Sequence, residues 1–160
     1  MEENDPRFKP IKEQDGFALV PDRWKIDYFA SAGELSRFFI ELKENAKLMG
    51  TKCPKCGSVY FWPRSWCHDC WVDCEWVEMS GKGKVVVWSQ VEISLNDLQT
   101  AQVPFVQGSV LLEGARYPVV VFYRDVAYED MYRGMPVRVE FLPPEERTGR
   151  SRDFYFVPDV

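Results

Sequence analysis

The five cysteines of this chain, Cys53, Cys56, Cys67, Cys70 and Cys74, all fall between positions 53 and 74. Clustering of this kind favours metal or redox chemistry over disulfides in a reducing compartment, and the expected location is cytoplasmic. Cys53-Pro54-Lys55-Cys56 and Cys67-His68-Asp69-Cys70 form the pattern C-x2-C-x10-C-x2-C. Each C-x2-C turn aims two thiolates at one ion while its backbone amides donate to the sulfurs, and two such turns complete a tetrahedral four-sulfur shell. The residues from Gly57 to Trp66 suit a short hairpin that brings the turns together. The pattern therefore predicts a zinc ribbon with Cys53, Cys56, Cys67 and Cys70 as ligands. Four thiolates leave no open coordination position, so the ion is expected to be structural. Its binding free energy, about 10–16 kcal/mol at such sites, becomes folding free energy. Iron in the same shell is the competing occupant. Cys74 could replace Cys70 only by giving up the tight turn, and is otherwise a free thiol at the start of the next unit. His68 is expected to face solvent.

The segments around this cluster divide the chain into an N-terminal arm and helix (1–50), the ribbon (51–75) and a β-rich remainder (76–160). Residues 1–30 show no sustained period and read as an irregular arm, although Pro21 to Phe29 is too aromatic for a plain disordered tail. Ser31-Ala32-Gly33-Glu34 matches a capping box. Leu35, Phe38, Phe39 and Leu42 follow at i, i+3, i+4 and i+7, one apolar stripe on a helix running to about Ala46 and stopping near Gly50. With only a small metal module after it, the stripe is expected either to meet a partner or to pack between domains. Strands are expected over 75–79, 85–93, 105–112, 119–123 and 137–141, with Phe154 to Val157 as an edge strand. Gly81-Lys82-Gly83 and Glu113 to Arg116 read as turns, and the charged segment 143–153 as a mobile loop. The strand count suits a five-stranded Greek-key barrel of OB type. The fold class is thus mainly β: an N-terminal amphipathic helix, a rubredoxin-like zinc ribbon and a C-terminal OB-fold barrel.

Several classes are excluded or disfavoured. No apolar run is long enough to span a bilayer, and the opening residues carry no secretory signal. The chain has one histidine, His68, which is committed to the second cysteine turn, so a Ser-His or Cys-His pair is not expected. No phosphate-binding loop, dinucleotide fingerprint or metalloprotease motif occurs. Glu145-Glu146 and Glu129-Asp130 lie in polar connectors and read as solvated surface. A nucleic-acid-binding module is the alternative class, because ribbons and OB barrels both serve there, and Lys47, Lys52, Lys55 and Arg64 could form a basic patch. The net charge of −5 argues against it, since each neutralised phosphate needs a cation. An iron electron carrier is the third class.

The order of motifs resembles a known family. A helix at 31–46, C-P-K-C-G, Y-F-W-P-R at 60–64, C-H-D-C, S-G-K-G-K-V, L-L-E-G at 111–114 and G-M-P-V-R-V together look like the rubredoxin-like zinc-ribbon/OB-fold family of acyl-CoA-associated proteins. The long N-terminal arm and Cys74 depart from it. The resemblance implies a non-catalytic accessory subunit, required by a thiolase-type acyltransferase complex and docked on a thiolase-fold dimer with two copies of each chain. The catalytic groups would belong to the partner. The complex would bind a coenzyme A thioester, with no nucleic acid and no membrane involved. The aromatic richness resembles the accessory subunit of a thiolase of anaerobic aromatic degradation, whose substrate is an aromatic β-oxoacyl-CoA such as benzoylsuccinyl-CoA. On charge and family position, Arg64, Lys82 and Lys84 are the expected CoA contacts. Leu35, Phe38, Phe39 and Leu42 are the expected partner contacts.

Overall fold

The computed structural model describes residues 9–22, 26, 28–92 and 103–159. The chain forms two compact units, residues 1–31 and 32–160. The first contains an antiparallel hairpin of strands β1 (Lys12–Gln14) and β2 (Phe17–Leu19). Asp15 and Gly16 between them both have positive φ, 51° and 80°, the backbone that a two-residue I′ turn requires and that Asp-Gly favours. The arm is therefore not irregular throughout, and the D-G pair was the available signal. Within the aromatic stretch 21–29, Arg23, Trp24, Lys25 and Asp27 lie outside the described residues.

In the second unit, a 3-10 turn at Gly33–Leu35 leads into helix α1 (Ser36–Asn45). The expected capping box does not form: neither element has a side-chain cap, and the Ser36 hydroxyl instead donates to Gly33 O at 2.5 Å. The helix stops at Ala46, which turns left-handed at φ 51° and donates to Glu41 O. Gly50 is not the terminator; it lies in strand β3 (Met49–Lys52), where an added Cβ would meet Tyr60 O at 2.9 Å.

β3 pairs antiparallel with β4 (Val59–Tyr60) and with β5 (Glu75–Glu78), giving the ribbon a three-stranded sheet. The remaining strands are β6 (Lys82–Val91), β7 (Phe105–Leu112), β8 (Val119–Tyr123), β9 (Pro136–Phe141) and β10 (Phe154–Pro158). They close into a barrel in the order β6-β7-β8-β10-β9, with β8 and β10 parallel and the other pairs antiparallel. That circuit is the OB-type Greek key. β6 begins earlier than the sequence suggests, because only Gly81 (φ 73°) makes the turn and Gly83 is a strand residue pressed against Leu111 O. Ile93, expected to end that strand, lies outside the described residues. β10 is no edge strand: it is paired on both sides and so closes the barrel.

One core joins helix, sheet and barrel. Phe38, Leu42, Leu48, Met49 and Met79 pack in the same cluster as Val85, Val110, Val137 and Phe156. Phe38 and Leu42 are 1% and 0% exposed. Burying two such side chains contributes roughly 2–3 kcal/mol each. This corrects the reading of the helix stripe as a partner face. Its centre is the chain's own core, because the barrel and the β3–β5 sheet supply the cover that the ribbon alone could not. Among the described residues no helix is long and apolar enough to cross a membrane.

Candidate metal centre

The two cysteine turns repeat one backbone design. In the first, Gly57 N donates to Cys53 O at 3.0 Å and Cys53 N to Ser58 O at 2.9 Å. In the second, Trp71 N donates to Cys67 O at 2.8 Å and Cys67 N to Val72 O at 2.9 Å. The fourth residue after each leading cysteine must turn left-handed: Gly57 does so at φ 74° and Trp71 at φ 54°. Glycine is the low-strain solution. At Trp71 the left-handed backbone accompanies a ring stacked on Trp66, with centroids 4.9 Å apart. Both tryptophans are exposed.

These turns bring the Sγ atoms of Cys53, Cys56, Cys67 and Cys70 within 4.8 Å of one another. Cys56 Sγ and Cys67 Sγ are 3.8 Å apart. Tetrahedral zinc with Zn–S bonds of about 2.3 Å places its sulfurs about 3.8 Å apart, so the donor set and its spacing fit a zinc ion. The ion would tie the turns together. Cys74 is outside the cluster, held by its backbone N–H to Ser65 O at 2.8 Å, and burial pushes its thiol pKa up.

The surroundings tune the thiols unequally. The Ser58 hydroxyl and backbone, followed by Cys53, hold Cys56 down at about 6. The Tyr60 hydroxyl, 3.2 Å from Cys67 Sγ, lowers Cys67. Desolvation, with the neighbouring thiols, pushes Cys70 up to about 12. Tyr60 and the leading cysteines Cys53 and Cys67 form a small buried cluster of their own. His68 is partly covered rather than fully solvent-facing, with Nε2 3.2 Å from Asp69 Oδ1 and its ring near Tyr60 and Tyr117.

Sequence reasoning missed the clasp between ribbon and barrel. Arg116, at the tip of the β7–β8 hairpin, donates from its backbone to Val59 O at 2.9 Å. Its guanidinium donates to Ser58 Oγ at 3.1 Å and pairs with Asp69. One arginine therefore touches both cysteine turns. Its pairing holds the Asp69 carboxyl below the usual range. Nothing in the L-L-E-G-A-R string marks that role, because it depends on where the hairpin tip lands.

The expected CoA contacts do not form one constellation. Lys82 and Lys84 line a groove of about 260 Å³ that also holds Glu113 and Asp159, and Lys82 Nζ is paired with Asp159 Oδ2 at 2.9 Å. Arg64 lines other grooves; its guanidinium lies over the Tyr60 ring at 5.3 Å and its backbone N–H donates to Thr51 Oγ1 at 2.9 Å. Of the helix stripe, Phe39 remains 40% exposed, and Leu35 is half-buried.

A four-thiol ribbon joined to a closed five-stranded barrel defines the class: a zinc-ribbon/OB-fold protein. A family model described as "ChsH2, rubredoxin-like zinc ribbon domain" matches residues 44–77. A "DUF35 domain-containing scaffold protein" of Methanocaldococcus jannaschii is 35% identical over 119 residues, covering 72% of this chain and 82% of the relative. The chain belongs to the DUF35 family. Two solved structures share the fold. One is a chain of the "Ltp2-ChsH2(DUF35) aldolase", with a TM-score of 0.64 and 23% identity, covering 83% of this chain and 100% of that one. The other is a DUF35 protein of unknown function from Sulfolobus solfataricus, with a TM-score of 0.57 and 19% identity, covering 79% of this chain and 87% of that one.

Proposed function

We propose that this chain is a non-catalytic accessory subunit, with structural zinc on Cys53, Cys56, Cys67 and Cys70, of a cytoplasmic thiolase-type complex acting on acyl-CoA. The observation that carries the reading is the similarity, over the full length of that chain, to the DUF35 chain of an Ltp2-ChsH2 aldolase. The chemistry of the chain agrees. Its one histidine, His68, sits inside a cysteine turn and pairs with Asp69, which leaves no histidine for a nucleophile–base pair. The four clustered thiols would saturate a zinc ion and leave no position for substrate. The scaffold would place its OB barrel beside the partner's acyl-CoA pocket, in an assembly with two copies of each chain. An aromatic β-oxoacyl-CoA such as benzoylsuccinyl-CoA is the proposed substrate. Arg64, Lys82 and Lys84 are proposed to meet CoA phosphates, and Leu35 and Phe39 the partner.

The test is a tandem pull-down of the tagged chain from its native host, with metal analysis of the eluate. The expected result is a thiolase-superfamily protein near equimolar ratio and about one zinc per chain. Recovery of nucleic acid, or of the chain alone with iron, would overturn the reading.

A further inference from the structure

The barrel's outer wall departs from the usual alternation of apolar inward and polar outward positions. On β7, β8 and β10, Val106, Val110, Val121, Tyr123 and Phe156 are buried. The alternating positions facing the other way should be polar, yet they include Phe105, Phe122 and Tyr155, all half-buried. The register explains how they meet: Gln107 pairs with Phe122, and Tyr123 is flanked by Val106 on one side and Phe156 on the other. The Phe105 and Phe122 rings meet edge to face at 5.6 Å. The Arg124 guanidinium lies 4.1 Å over the Tyr155 ring, and the Tyr155 hydroxyl donates to Glu140 Oε2 at 3.4 Å. Together with Arg152 and Leu142 these residues line a groove of about 290 Å³.

Charge sets this groove apart. Its lining includes two arginines and no carboxylate, on a chain of net charge −5. The adjoining groove that shares Arg152 adds Arg150, Phe39 and Trp62, again with no carboxylate. The groove with Lys82 and Lys84, by contrast, carries its own acids. β7 and β8 are the second and third barrel strands, and Leu142 and Arg152 belong to the connection between the fourth and fifth. OB barrels generally present ligands to that face and loop.

We propose that this face binds a flat aromatic ring bearing an anionic group, with Phe122 and Tyr155 contacting the ring and Arg124 and Arg152 the anion. A volume near 290 Å³ takes a ring system and little more. Stacked arginine supplies both a cation–π contact and a planar hydrogen-bonding fork for phosphate or carboxylate. The ring could come from a nucleotide or from an aryl acid. The inference stands on this chain alone and does not depend on the partner reading.

The test is isothermal titration of the purified, zinc-containing full chain with adenosine 3′,5′-bisphosphate and, separately, with 2-phenylsuccinate. One of the two is expected to saturate, which identifies the ring's source. Arg124→Gln, at an exposed position, is expected to weaken that binding about tenfold. Tyr155→Ala should do the same and Tyr155→Phe should retain it, while Lys84→Gln leaves it unchanged. Far-UV circular dichroism checks each variant's fold. The proposal is overturned if neither probe saturates, if Arg124→Gln binds as well as the parent, or if a single-stranded oligonucleotide outcompetes the small probe.

Discussion

Asp153 is 1% exposed, and its carboxylate accepts from Thr148 N at 2.8 Å, Gly149 N at 2.5 Å, Arg150 N at 3.2 Å and Thr148 Oγ1 at 3.0 Å. Segment 143–153 is thereby a built turn packed on α1, where a Cβ on Gly149 would lie 3.1 Å from Phe39 O. The sequence reads as a solvated charged loop because composition cannot show that one acid is turned inward to cap its own loop. Asp153→Ala leaves several buried donors unpaired, and the expected loss of stability is about 3 kcal/mol, measured by urea denaturation. Tyr123 argues the opposite case. Its hydroxyl is buried without a hydrogen-bond partner, and burial pushes its pKa up. Tyr123→Phe removes an unpaired polar atom and keeps the ring, so the expected gain is about 1 kcal/mol. The urea midpoint should rise with an unchanged slope.

At the scale of elements, the ribbon's metal affinity depends on groups that are not ligands. Once Cys67 is a thiolate it can only accept, so the Tyr60 hydroxyl must donate to it across 3.2 Å. Tyr60→Phe is expected to weaken zinc binding about tenfold, read by competition with a chromogenic chelator. In the metal-free chain Cys56 is already ionised above about 6, whereas Cys70 holds its proton up to about 12. Zinc must displace the Cys70 proton throughout the neutral range, so affinity should rise with pH by at least about tenfold per unit. The sign for the metal-free fold is separate. Cys56, with its pKa depressed, stabilises that fold above the ordinary thiol range, and the contribution is lost as pH falls through about 6. The four-cysteine convergence and the strands 105–112 and 119–123 were legible in the sequence, because local spacing and β-branched runs encode them directly. The helix stripe was legible as a period but not as a destination. Periodicity identifies an apolar face and is silent on whether Phe38 meets the chain's own Phe61 or a partner. The Arg116 clasp was invisible for the same reason: it is a long-range contact with no local pattern.

The whole molecule has two unequal cores, and this decides what the metal holds up. The larger runs from α1 through the β3–β5 sheet into the barrel. The smaller consists of Tyr60, Cys53 and Cys67, with Cys70, Val72 and Cys74 packed around it. A cluster that small cannot offset the backbone entropy of its own turns, at about 1–2 kcal/mol per ordered residue, so the turns depend on the ion. The barrel does not: its five strands close on one another, and their buried side chains belong to the larger core. Chelation should therefore melt the cysteine turns without unfolding the chain. Hydrogen exchange after chelator treatment should show lost protection at the Cys53, Gly57, Cys67 and Trp71 amides, which are bonded within the turns. Protection should persist at Val110, Val121 and Phe156 on the inner barrel wall. The Arg116 clasp predicts an intermediate response for the hairpin tip, because the Val59 and Asp69 partners of Arg116 belong to the melting unit while Leu112 and Val119 stay in the larger core. Uniform loss of protection across the barrel would mean that ribbon and barrel form one cooperative unit and that the larger core does not stand without the metal.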